Sequence, residues 1–109
     1  MTRTNYNKLI RDRIPEIIEK DGRQYKIKVM PEEEYRQRLA QKLIEEATEA
    51  AQSLDSIPDL TKEIADLYEV IDSLIAAYNL DRQAILDLQL QRRTTRGGFT
   101  KRLNLLWTD

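Results

Sequence analysis

Two long amphipathic runs joined by a short polar break restrict this chain more than any other feature. The first opens at Pro31, and Glu32, Glu33 and Glu34 then supply the acidic first turn that suits a helix dipole. It should extend to about Ser53. With successive residues about 100° apart, Leu39, Ala40, Leu43, Ile44, Ala47, Ala50, Ala51 and Leu54 fill an arc roughly 140° wide. The second run starts near Ser56 to Asp59, where the Ser-x-x-Asp spacing resembles a capping box, and continues to about Asn79. Leu60, Ile64, Leu67, Tyr68, Val70, Ile71, Leu74, Ile75 and Tyr78 form its broad apolar face. The gap leaves room for one turn, so the two helices are expected to run antiparallel.

Each run also carries a turn of acids: Glu45-Glu46-Ala47-Thr48-Glu49 in the first and Glu63-Ile64-Ala65-Asp66 in the second. Acids three or four apart share one side of a helix. On the wheel, Glu46 lies just outside the edge of the apolar arc, with Lys42 and Glu49 further round and Glu45 further still. Glu63 projects between Val70 and Leu74, inside the apolar face, and Asp66 lies just past its edge. An ionised carboxylate on a buried face costs several kcal/mol unless it is paired or bound to a metal. Glu63 therefore needs a partner. This reading makes the second acid turn the buried floor of a site and the first its wetter wall. Surface salt bridges, or a buried arginine or lysine beside Glu63, are the alternative to a cation.

The 109 residues suggest one domain spanning 1–109, and 40% apolar residues suffice for a core. Eighteen basic and 19 acidic residues nearly cancel, which argues against general attraction to nucleic acid or membrane. Neither cysteine nor histidine occurs, so acid–base work falls to carboxylates, lysine, tyrosine or water activated by a metal. No stretch approaches the roughly 20 apolar residues of a membrane span, and the opening residues lack the apolar run of a signal peptide. A cytoplasmic protein is the expectation. Oxygen-only ligands suit Mg²⁺ or Mn²⁺. Because Mg²⁺ takes few carboxylates, four of them suggest more than one ion, or a substrate that brings its own.

Shorter elements complete the expected fold. Ile14 to Lys20 reads as a helix with Pro15 in its first turn and Asp21-Gly22 as its stop. From Gln24 to Met30, Tyr25, Ile27 and Val29 alternate with Lys26 and Lys28, the pattern of a half-exposed strand. Asp81 can cap a further helix from Arg82 to about Thr94, ended by Arg96-Gly97-Gly98-Phe99. The apolar end of the chain, about residues 102–107, could pair with the strand at 24–30. The fold expected is thus mainly all-α, an antiparallel helical bundle with a small two-stranded decoration.

Basic residues fall into two sets: Lys8, Arg11 and Arg13 near the start, and Arg92, Arg93, Arg96, Lys101 and Arg102 around Gly97-Gly98. Each set is either a solvated face or a phosphate contact, the glycines letting backbone N–H groups approach an anion.

The motifs together resemble the MazG-like all-α nucleoside triphosphate pyrophosphohydrolases. Glu45-Glu46-x-x-Glu49 followed by Glu63-x-x-Asp66 looks like that superfamily's signature. Tyr6-Asn7-Lys8-Leu9-Ile10-Arg11-Asp12-Arg13-Ile14-Pro15 and Arg96-Gly97-Gly98-Phe99-Thr100-Lys101-Arg102 resemble its short phosphoribosyl-ATP pyrophosphohydrolase-like branch. The resemblance implies dimers or higher homo-oligomers and Mg²⁺-dependent cleavage of a nucleotide between its α and β phosphates. It implies Glu46, Glu49, Glu63 and Asp66 as metal ligands, and Glu45 as the group that orients or deprotonates the attacking water. Lys8, Arg11, Lys42, Arg96 and Lys101 are the expected phosphate contacts. Two other readings stand beside the enzyme. A non-catalytic helical interaction domain would keep its acids in salt bridges, and a small nucleic-acid-binding protein would use the 92–102 region.

Overall fold

A computed structural model describes residues 2–109, and it is all-helical: α1 (Ile14–Lys20), α2 (Glu32–Ala51), α3 (Ile57–Ala77) and α4 (Arg82–Arg96). Two compact units divide the chain, Met1–Tyr78 with α1 to α3 and Asn79–Asp109 with α4.

Local chemistry sets the helix limits in the first unit. Pro15 sits in the first turn of α1, where its missing N–H costs nothing. Past the end of that helix, Gly22 takes φ 72°, a conformation that glycine adopts without strain. α2 follows Pro31, and the Pro31 carbonyl accepts from the Tyr35 N–H at 2.9 Å. Ser56 caps α3 by accepting from the Asp59 N–H at 3.3 Å, with Pro58 in the first turn.

α2 and α3 pack along their lengths as an antiparallel hairpin. Glu46 meets Glu63 and Asp66, while ten residues earlier on α2 Arg36 donates to the Ala77 carbonyl at 2.9 Å, near the end of α3. Their seam follows a repeat of four and three residues. Leu39, Leu43, Glu46 and Ala50 of α2 are buried or half-buried, as are Glu63, Leu67, Val70, Leu74 and Ala77 of α3. That is the spacing of a two-helix interface. Glu46 and Glu63 occupy seam positions where an apolar residue would ordinarily stand.

The seam takes up only half of each apolar arc. Ala40, Ile44, Ala47 and Ala51 on α2 are exposed, and so are Ile57, Ile64, Tyr68 and Ile71 on α3. Each wheel therefore contains two adjacent stripes, one used within the hairpin and one left open. Among the described residues, Leu39, Ala50 and Val70 are the buried apolar ones.

In the second unit, the Asp81 carboxylate accepts from the N–H groups of Gln83 at 2.9 Å and Ala84 at 3.3 Å, starting α4. Gly97 ends the helix with φ 82°, and its N–H reaches the Arg93 carbonyl at 2.9 Å. Residues 99–102 form a turn closed by the Arg102 N–H on the Phe99 carbonyl, at 3.1 Å.

The two-stranded decoration is a correction. Among the described residues no β-ladder forms at 24–30 or at 102–107. Alternating side chains specify an extended chain, but a strand also needs a partner for its N–H and C=O groups and a cover for its apolar face. Tyr25, Ile27 and Val29 have no cover and remain exposed. Among the described residues, no helix is long and apolar enough to cross a membrane.

Candidate metal centre

Toward the connecting-turn end of the hairpin seam, one carboxylate oxygen each from Glu46, Glu63 and Asp66 lies within 4.8 Å of the other two. α2 supplies the first, and adjacent turns of α3 supply the others. The helical repeat explains the convergence, because residues 63 and 66 stand on one side of α3 facing position 46 across the seam.

Each helix contributes one carboxylate oxygen that is buried and has no hydrogen-bond partner, Oε2 of Glu46 and Oε2 of Glu63. Such atoms normally find a donor, since leaving one unmatched costs about 1–3 kcal/mol. The Glu63 side chain is 12% exposed, and its other oxygen accepts from the Lys62 ammonium at 3.3 Å. That lysine is the preceding residue in the chain, and it is itself exposed. The buried arginine or lysine that would complete a purely structural pairing of Glu63 is not what meets it.

The Glu46 carboxyl is strongly perturbed. Burial first, then the negative charge and direct contact of Glu49, then the charge of Asp66, push its carboxyl from 4.5 up to about 7, while Lys42 pulls the other way. This corrects the picture of a wet first wall and a buried floor. The wheel placed Glu46 at the rim because it averaged two stripes, whereas the centre of the packed stripe runs through Glu46. Both acid turns thus reach the seam. Glu49 stands beside Glu46 and is half-buried.

Glu45 points elsewhere. Its carboxylate lies 3.6 Å from the Lys42 ammonium, outside the trio, and the Lys42 side chain is only 19% exposed. Arg11 reaches Asp66 directly, Nη2 to Oδ1 at 2.8 Å. Lys8 does not join the acids; its ammonium stands 5.4 Å from the centre of the Tyr6 ring. Arg96 and Lys101 belong to the second unit, where both are exposed.

The wheel-based reading overlooked Lys62. Its ammonium is held above its ordinary value by the hydrogen bond to Glu63, then by the charges of Glu63, Asp66 and Glu49. A signal was present, because Lys62 precedes Asp66 by four residues on a helix and so shares its side. Arg11, Lys42 and Lys62 are thus three cations set against the five acids Glu45, Glu46, Glu49, Glu63 and Asp66.

The donor set fits a hard divalent cation: carboxylate oxygens alone, two of them buried and unmatched, and neither cysteine nor histidine in the chain to favour a softer metal. No family model, no curated protein and no solved structure matches the chain.

Proposed function

We propose that this chain is a Mg²⁺-dependent nucleotide pyrophosphohydrolase of the MazG-like kind, with Mn²⁺ as an alternative ion. The reaction would release pyrophosphate and a nucleoside monophosphate by cleaving between the α and β phosphates of a nucleoside triphosphate or related phosphoribosyl nucleotide. Such chemistry suits the removal of unwanted nucleotides in the cytoplasm. The observation that carries the reading is the pair of seam glutamates, one per helix, each keeping a buried oxygen without a donor beside Asp66. The acid and flanking motifs support the same class by resemblance.

In this reading Glu46, Glu63 and Asp66 hold the ion, with Glu49 joining from the next turn. When bound, Mg²⁺ would offset the charge of the polyphosphate and make a nearby water more acidic. The protein's own residues do the rest. Glu45, kept outside the trio by Lys42, stands ready to orient the attacking water and take its proton. Lys42, Lys62 and Arg11 supply positive charge for phosphate oxygens. With all five acids ionised, as the ion requires, these three cations leave two negative charges unmatched, the charge of one divalent ion. A second ion would then arrive with the nucleotide.

The open stripe of Ile57, Ile64, Tyr68 and Ile71 favours a homodimer or higher homo-oligomer, since a hairpin with three buried apolar residues has too little core alone. The three ion pairs also suit a non-catalytic helical domain whose acids only balance charge. The unmatched oxygens weigh against that alternative.

Incubation with a panel of canonical, deaminated and oxidised nucleotides and Mg²⁺ tests the proposal. Monophosphate and pyrophosphate are expected for at least one of them. Orthophosphate alone, or no turnover across the panel, would overturn it.

A further inference from the structure

Arg11 differs from the other two cations of the site in how it arrives there. Lys62 and Lys42 pair with acids one and three residues away, near neighbours in sequence on the same helix. Arg11 comes from 55 residues away, out of the non-helical segment before α1, to place Nη2 at 2.8 Å from Asp66 Oδ1. That segment is fastened on both sides of the arginine. The Asn7 carbonyl accepts from Arg38 of α2 at 3.2 Å, and the Arg11 carbonyl accepts from the Ile14 N–H at 3.1 Å, closing the turn into α1. The side chain can let go without freeing the backbone that carries it.

We infer that Arg11 is the resting counter-ion of the acid site: it holds Asp66 until a divalent cation binds, yields that carboxylate, and turns its guanidinium to the incoming polyphosphate. Asp66 offers an oxygen to the same trio that would bind the cation, so guanidinium and metal compete for one acid. The contest is uneven. The Arg11 side chain is 59% exposed and that of Asp66 is 29% exposed, and an ion pair that water reaches is weak. A doubly charged ion also engages Glu46 and Glu63, which Arg11 does not. Once displaced, the planar guanidinium remains tethered beside the acids and has the fork geometry that matches phosphate oxygens. Substrate and ion are thereby coupled, because the group that gives up Asp66 to the metal becomes free for the anion. This inference rests on the metal-centre reading above and adds an order of events to it.

Mn²⁺ titration without nucleotide, followed by inorganic tripolyphosphate titration of the Mn²⁺-loaded protein, tests it on the wild type, Arg11→Gln and Arg11→Lys. Arg11→Gln should bind Mn²⁺ about two- to fivefold more tightly, the size of an exposed ion-pair effect. Arg11→Lys, which keeps the charge, should stay near the wild type. Loaded Arg11→Gln should hold tripolyphosphate several-fold more weakly. Mn²⁺ affinity in Arg11→Gln that is equal to or below the wild type would overturn the inference. Unchanged tripolyphosphate binding, or an Arg11→Lys that behaves like Arg11→Gln, would do the same. Mn²⁺ bound equally by the wild type and Arg11→Gln removes this inference alone, whereas failure of the wild type to bind Mn²⁺ removes the metal centre with it.

Discussion

The inner and outer stripes of the α2–α3 hairpin follow the same spacing but differ in composition. The inner stripe is packed, yet acids interrupt it at Glu46 and Glu63. The outer one is apolar at every position named, Ala40, Ile44, Ala47 and Ala51 on α2 and Ile57, Ile64, Tyr68 and Ile71 on α3, yet it is open. If stability alone had shaped the hairpin, apolar side chains such as those of the open stripe would fill positions 46 and 63, and the acids would lie outside. The inversion separates two tasks. The inner stripe gives up packing to hold a charged site, and the outer stripe is suited to recover stability from a partner.

The sharpest way to break this comparison is to make the inner stripe uniformly apolar. Glu63→Leu should abolish Mg²⁺-dependent turnover. It should also lower Mn²⁺ affinity by more than the roughly 10- to 100-fold that losing a supporting group of a metal site costs. The same variant should be more stable than the wild type without metal, by about 1–3 kcal/mol, because packed apolar side chains often replace buried charges with a gain. Denaturant melts with and without Mn²⁺ would read both effects. The outer stripe should respond in the opposite way. Tyr68→Asp combined with Ile71→Asp should dissociate the proposed homo-oligomer in sedimentation velocity and cost about 2–4 kcal/mol of stability.

A smaller effect concerns pH. The Glu46 carboxyl lies at about 7 in the folded chain against 4.5 for the unfolded one, so the folded state holds an extra proton between those values. Without metal, the stabilisation from that proton is complete below about pH 4.5 and is lost as pH rises through about 7. The difference in unfolding free energy between the wild type and Glu46→Gln should therefore move against the wild type over this window, by on the order of 1–2 kcal/mol after solvent screening. Mn²⁺ affinity should rise over the same range, since the ion requires the deprotonated acid. A flat difference would place Glu46 outside the seam. The smallest effect belongs to neither stripe. Ser56→Ala removes the cap of α3 and should cost about 1 kcal/mol, leaving Mn²⁺ affinity unchanged.

Features governed by neighbours in sequence were legible before the fold was known. The limits of α1, the Ser56 and Asp81 caps and the Gly97 stop all appear where the local signals place them. So does the meeting of the two acid turns, because a hairpin with one short turn has a single register that brings 46 opposite 63–66. Which half of each apolar arc is packed was not legible. A helical wheel gives direction but not the number of partners that share a face, and so Glu46 seemed to sit at a rim. The Arg11–Asp66 pair was hidden for a different reason, since no periodicity links a loop residue to a helix 55 positions later. The strand at 24–30 failed because alternation is a property of one segment, whereas a ladder requires two.

The most direct measurement is a ³¹P NMR record of a nucleoside triphosphate turned over with Mg²⁺ by the wild-type protein, with Glu63→Gln in parallel. The account predicts pyrophosphate and monophosphate growing together in equal amounts for the wild type, and unchanged triphosphate signals for Glu63→Gln. Turnover by Glu63→Gln at the wild-type rate, or orthophosphate as the wild type's product, would contradict it.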